Sequence, residues 1–423
     1  MGKPFWLKSF NFFLTDTQII TYYQILRFGS NLLVSIILSK FFFNTSHLNQ
    51  YETIVLSTST FVFFWNTGIV KFFQSYYPLF LSKDFDIFLQ KVFNTSCILG
   101  LITATFFYVL SSSFNTLHLL ISLKIFTSIV SNPLEYYALA QKKNKKVFFF
   151  IHFYFIIFIV WTIFRYLHAD FCGMLWGWIF LDLVKILYYH TFAGKIYVLE
   201  KQKFFNLIFL CISALLSGGV EYINFWMVKN YYSEWDFLVY RYGAREIPIT
   251  AMLAYSLSAT LTAQIQTPKF SSQYVKIQII KLFHYTFPLA IFLMVVSKPL
   301  FEAVFGSSLV SAHKVFDIFL LITISRVMLF DAYLLANQKH KFFLWTASVE
   351  IFIVSLVSWI GVYFEWSVEY LAFSIVMAYF IERLILFEKL KEMKIKVGEF
   401  FPWGWWLFYS LSLWAIFILK LWI

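Results

Sequence analysis

Charge is what this sequence has least of. Only 13% of its 423 residues are Asp, Glu, Lys or Arg, against roughly 25% in a soluble domain. Apolar side chains fill the deficit, at 60% of the total, with aromatics alone at 23%. Long apolar stretches recur from one end to the other, and that leaves a polytopic membrane protein as the class. The residue-by-residue alternation of a transmembrane β-barrel is missing. A backbone that crosses lipid in such runs closes its hydrogen bonds as helix, so the expected fold class is all-α.

Other absences narrow the chemistry. The three cysteines, Cys97, Cys172 and Cys211, make no CxxC pair, so neither a disulfide framework nor a zinc site is expected. There is no Walker A string, no dinucleotide glycine pattern and no HExxH, which argues against an ATPase and a zinc peptidase. The eight histidines are scattered without ligand spacing. No metal, no cofactor and no catalytic residue is therefore expected. The net charge of +12 is spread through short loops between apolar stretches, which fits membrane topology and not nucleic acid. The start, "MGKPFWLKSFNFFLTDTQ", lacks the compact apolar core and small-residue cleavage site of a signal peptide. It reads as an interfacial segment. Gly2 carries no myristoylation signal, because Trp6 stands where Ser or Thr is required.

What is present is a series of about thirteen apolar windows, each long enough to span. They lie near 16–40, 52–77, 88–112, 116–141, 147–166, 171–193, 203–228, 237–264, 280–303, 308–337, 342–363, 366–390 and 402–421. With a cytoplasmic N-terminus, 21 of the 34 basic residues fall on the cytoplasmic face, among them Lys142, Lys143, Lys145 and Lys146. About five, near Lys40, Arg165, Lys229, Lys298 and Lys314, fall on the other. That asymmetry obeys the positive-inside rule.

Two strings echo each other, "EYYALAQKKNKKVFF" at 135–149 and "DAYLLANQKHKFFLW" at 331–345. Glu135 aligns with Asp331, Tyr137 with Tyr333, Lys143 with Lys339 and Lys145 with Lys341. Each string ends a window and opens a basic loop, and six windows separate them. Two six-span halves in the same orientation make a parallel repeat about an axis along the membrane normal. The expected organisation is a six-helix lobe over 1–198, a second over 199–398, and an additional C-terminal span over 399–423.

Charges inside spans are costly and default to cavity-lining or paired positions. Arg27 lies midway along the first window, Lys71 in the second, and Arg241 with Arg245 in the eighth, four residues apart and so on one helical face. Arginine suits a diphosphate because its planar fork offers paired donors and keeps its charge. Arg27, Lys71, Arg241 and Arg245 are the candidate substrate-binding cations; the competing reading makes the arginines structural partners of Glu221 or Glu246. Glu221 follows "LLSGGV" and reads either as a site for a coupling H+ or Na+ or as a packed, neutral carboxyl. Glu135 and Asp331, near their helix ends, pair with cations or gate that end. Pro133 and Pro248 are expected to bend windows four and eight.

The "EYYALAQKKNKK" and "DAYLLANQKHK" strings, the opening "QIITYYQILRFGSNLLVSIILSKFF" and the basic interior of windows one, two and eight resemble the MATE-like superfamily of oligosaccharide-lipid and polysaccharide exporters. The likeness is to its O-antigen and capsule repeat-unit flippases and the related lipid II flippases. The resemblance implies two lobes around a hydrophilic cavity, and a substrate of undecaprenyl-diphosphate-linked oligosaccharide moved from the cytoplasmic to the outer leaflet of a bacterial inner membrane. It places Arg27, Lys71 and Arg241 in the role of the cavity cations. Membrane lipids and glycan-assembly enzymes are the expected partners. A drug exporter of the same superfamily is the nearest rival. A membrane glycan polymerase, ligase or acyltransferase is a rival from another class, with "FRYLHADF" (164–171) as its one Arg/His/Asp cluster in an outer loop, and a glycan-assembly scaffold that transports nothing is a third.

Overall fold

The computed structural model describes residues 16–76, 82–111, 115–140, 144–189, 199–244 and 271–422 apart from 338, with isolated positions between 253 and 265. Among the described residues there is helix and no strand, and all thirteen apolar windows carry helix. The first windows form α1 (Asp16–Phe41), α2 (Thr45–Tyr76), α3 (Ser82–Leu110), α4 (Thr116–Ser131), α5 (Leu134–Ala140), α6 (Asn144–Leu167) and α7 (Phe171–Tyr189). Then come α8 (Lys201–Tyr231), α9 (Glu234–Gly243), α10 (Ser272–Phe305) and a 3-10 turn (Ser307–Ala312). The remainder is α11 (His313–Leu320), α12 (Ile322–Arg326), α13 (Phe330–Ala336), α14 (His340–Tyr363), α15 (Val368–Glu392), α16 (Val397–Phe400) and α17 (Trp403–Trp422). Among the described residues ten helices are long and apolar enough to cross a membrane, eleven if the two segments of α8 count as one crossing. On α6, Phe149, Phe153, Ile156 and Val160 are all exposed, and their helical spacing makes them a lipid-facing stripe.

Local chemistry sets the helix ends. Asn115, Ser233 and Ser271 cap α4, α9 and α10, each side chain accepting a hydrogen bond from the backbone N–H three residues on. Three helices close in the Schellman manner. Asp170 N–H donates to the Arg165 carbonyl, Trp366 to Gly361 and Ile395 to Leu390, with Ala169, Glu365 and Lys394 between them at φ 51°, 51° and 58°. Glycine is the usual occupant of that left-handed position. Close approach requires it elsewhere: a Cβ on Gly68 of α2 would stand 2.7 Å from the Cα of Cys211 on α8.

Two windows are broken. Pro133 separates α4 from α5, as a ring that cannot donate and crowds the preceding turn dictates; Pro248 lies outside the described residues. The tenth window, expected as one continuous span, is interrupted at Leu321 and again at Val327–Leu329. No proline or glycine marks those breaks. They survive because Val315–Ser325 and Val327–Phe330 are buried, and irregular backbone at membrane depth is tolerated only inside protein. Trp406 of α17 meets one freed carbonyl, its indole N–H donating to Ile324 O at 3.0 Å.

The chain divides into two compact units, Met1–Leu38 with Ser57–Cys211, and Ser39–Leu56 with Ile212–Ile423. The divisions fall inside α1, α2 and α8. In the first unit α4 packs between α3 and α7. In the second, α14 pairs with α15, while α10 lies against the 3-10 turn and α17.

Candidate functional site: buried charges of the two units

In the first unit, Asp182 of α7 is fully buried. Its Oδ2 receives Lys124 Nζ at 2.7 Å and the hydroxyls of Thr127 and Ser128 at 3.0 Å each, and Oδ1 receives the Tyr154 hydroxyl at 3.0 Å. One turn further along α7, Lys185 pairs with Glu135 at the start of α5 and donates to Asn132 Oδ1 at 3.1 Å. Two acids and two lysines thus neutralise each other on α4, α5 and α7, the condition under which charge is kept inside protein. Lys71 is exposed on α2. Arg27 lies on α1, and its side chain is outside the described residues.

In the second unit, Arg241 of α9 places Nε 3.2 Å from Glu52 Oε2. Its guanidinium lies 4.5 Å over the Phe225 ring. Glu52 is fully buried. For Arg241 the described ion-pair partner is Glu52, in place of the expected Glu221 or Glu246. Glu52 sits at the edge of window two, where "NQYETIV" reads as the end of a loop. The signal was a single acid one turn from buried Leu48 and buried Leu56, on the same helical face. Arg245, with Glu246, lies outside the described residues.

Glu221 of α8 accepts from the Tyr379 hydroxyl at 3.3 Å, and the Arg326 guanidinium lies 5.9 Å from the Tyr379 ring. Asp331, in the first turn of α13, has Arg383 at 3.5 Å and accepts from the Ser258 hydroxyl at 3.0 Å. Arg383 also meets Glu382 at 3.3 Å. A polar node that sequence reading missed is centred on Asn224, which is fully buried. Its amide nitrogen shares two hydrogens among Tyr240 Oη at 3.0 Å, Leu371 O at 2.9 Å and Ser374 Oγ at 2.8 Å, and Ser358 donates to its carbonyl at 2.5 Å. It joins α8, α9, α14 and α15 with neutral groups, so no charge announced it. At the far end of the chain, Lys420 of α17 donates to Asp317 of α11 and to Met294 O of α10 at 2.6 Å each.

The echoed strings fold alike. Glu135 and Asp331 each sit in the first turn of a seven-residue helix, each following a break. Each meets a cation, Lys185 on the sixth window in one case and Arg383 on the twelfth in the other. Tyr137 packs on Phe73 at 4.8 Å and Tyr333 on Phe400 at 4.0 Å.

These observations define a multi-pass membrane protein, helical among its described residues, in which several interior charges pair within their own unit. Among the described residues no group of three or more His, Cys, Asp or Glu is placed to hold a metal ion. No family model and no curated protein matches the sequence. Solved structures do match. The chain is similar to a structure of the lipid II flippase MurJ in an inward closed conformation, with TM-score 0.68 and 17% identity over 95% of this chain and 92% of that one. It is also similar to an inward-facing multidrug resistance MATE family transporter of the MOP superfamily, with TM-score 0.60 and 10% identity over 90% of this chain and 98% of that one. An outward-facing structure of such a transporter gives TM-score 0.57 and 10% identity over 90% and 97%. At these identities the likeness is one of fold. The chain has the MATE-like fold that the MurJ flippase shares.

Proposed function

We propose that the protein is a flippase that carries an undecaprenyl-diphosphate-linked oligosaccharide from the cytoplasmic to the outer leaflet by alternating access. The observation that carries this reading is the fold likeness to a lipid II flippase over 95% of the chain. Interior charge adds support, since a fold serving only as a scaffold has no use for so many costly groups. In this reading 1–198 and 199–398 are the two lobes and 399–423 an accessory span. In this reading the protein sits in a bacterial cytoplasmic membrane, and the basic-loop asymmetry supports a cytoplasmic N-terminus. The chain does no covalent chemistry and works beside glycan-assembly enzymes.

Arg27, Lys71, Arg241 and Arg245 are assigned to the diphosphate. Arg241 must exchange Glu52 for the head group to take part, so the Glu52 pair acts as its resting partner. Glu221 is assigned to a coupling H+ or Na+. Glu135 and Asp331 are assigned to gating, through the opening and closing of the Lys185 and Arg383 pairs. The multidrug transporters of the same fold supply the second reading, export of lipophilic cations.

The test uses reconstituted vesicles loaded with a lipid-linked oligosaccharide and an impermeant sugar-modifying reagent. Wild-type protein is expected to expose the glycan on the outer face, and Arg27→Ala or Lys71→Ala to slow exposure at least tenfold. Undiminished exposure with both cations removed would overturn the head-group assignment. Export of ethidium without movement of the glycan would establish the second reading.

A further inference from the structure

The second unit holds a cavity of about 640 Å³ where α8 meets α9 and α14 meets α15, at the end of α15 away from Lys389 and Lys391, while Lys229 in the last turn of α8 is directed to Asn49. The size falls within that of small-molecule sites, roughly 300–1,000 Å³. Tyr232, Trp235 and Trp366 form aromatic walls, and Asp236, Glu365 and Glu369 bring three carboxylates. No lysine or arginine lines it. We propose that this cavity is a saccharide subsite for a sugar bearing a free amine, resting on the glycan reading for the source of that sugar but not for its chemistry.

Flat amphipathic rings and hydrogen-bond acceptors are what a pyranose requires. Its C–H face stacks on Trp and Tyr, and its hydroxyls donate to carboxylates. An ammonium gains from both the rings and the acids. Three carboxylates without a cation exclude a uronic acid or a diphosphate by like-charge repulsion. The cavity therefore suits the glycan end of a substrate whose anionic end meets arginine elsewhere. Ser311 lines the same cavity, and its hydroxyl oxygen is buried without a partner among the described residues. The walls are held in place: the Tyr232 hydroxyl donates to Trp366 O at 2.9 Å, joining the two connections. Glu365 occupies the left-handed Schellman position at φ 51°, where glycine would sit without strain.

The experiment titrates the full chain in lipid nanodiscs with the β-1,4-linked glucosamine tetrasaccharide and follows heat. One-to-one binding is expected, weakened at least tenfold by Glu369→Gln and by Glu365→Gly, whose backbone suits the turn and whose melting temperature is expected not to fall. The N-acetylated tetrasaccharide is expected to bind at least tenfold more weakly. No binding of the glucosamine oligomer, equal binding of the acetylated one, or tighter competing binding of tetraphenylphosphonium would each overturn the proposal. Loss of glycan flipping with oligomer binding intact would refute the flippase reading alone. Intact flipping without oligomer binding would refute this subsite alone.

Discussion

The Arg241–Glu52 pair gives the sharpest test of how interior charge is used. The perturbation is Glu52→Gln, Arg241→Met and the double variant. With Nε and Oε2 at 3.2 Å, and the two side chains 14% and 0% exposed, Coulomb attraction at an effective dielectric of about 20 is about 5 kcal/mol. Desolvation offsets much of that, so the pair's net worth is small. Removing one partner is different, because it strands the other charge in the interior at a cost of about 3–5 kcal/mol. Each single variant should therefore unfold earlier than wild type in a denaturant titration of the reconstituted protein. The double variant should lose less than the two single losses combined, by a coupling energy of about 2–3 kcal/mol. Flipping adds an independent reading. Glu52→Gln leaves the guanidinium in place and should tighten binding of the diphosphate head group, whereas Arg241→Met should weaken it. Coupling below about 0.5 kcal/mol, the ordinary error of additivity, would refute the pair as an energetic unit. Equal loss of head-group binding in both single variants would take Arg241 out of the substrate path.

Asp182→Asn removes the shared acceptor of Lys124, Thr127, Ser128 and Tyr154 and strands a buried lysine, so a loss of about 3–5 kcal/mol is expected; a loss below about 1 kcal/mol would mean that Lys124 finds another partner. Asn224→Ala leaves the groups around it without their common partner and should cost about 1–3 kcal/mol, measured by the same unfolding titration, with Asn224→Asp no better than Ala if geometry rather than charge matters. Outside the spans, hydrogen bonds from Lys203 and Lys91 hold the Glu200 carboxyl below its ordinary value of 4.5. A depressed carboxyl stabilises above that value and loses its contribution as pH falls through the folded one. The stability difference between wild type and Glu200→Gln should be present at neutral pH and vanish below pH 4.5; a difference that grows on acidification would contradict the assignment.

The helices were legible because crossing lipid is an additive property of a segment: twenty apolar residues announce themselves without reference to the rest of the chain. Pro133 was legible for the same reason, since its effect on the backbone is local. The echo of Glu135 and Asp331 was legible in place, both opening seven-residue helices, because the two strings share one order of acid, aromatic and basic residues. Partner choice was not. Glu52 and Arg241 are 189 residues apart, and nothing in either neighbourhood selects the other. The breaks at Leu321 and Val327 were hidden too, because the groups that tolerate them come from other helices. Of the candidate cations, Lys71 and Arg241 are described in full, whereas Arg245 and the side chain of Arg27 lie outside the described residues.

The Trp406 indole and the Lys420 ammonium give the last helix a meaning beyond one more crossing. One answers the carbonyl of Ile324 and the other the carboxylate of Asp317, both on the interrupted tenth window. Without those two contacts the window would have to stay straight or leave the Ile324 carbonyl bare at membrane depth. The C-terminal helix therefore works as a splint. Its loss would be felt first in the shape of a neighbour and only afterwards in topology.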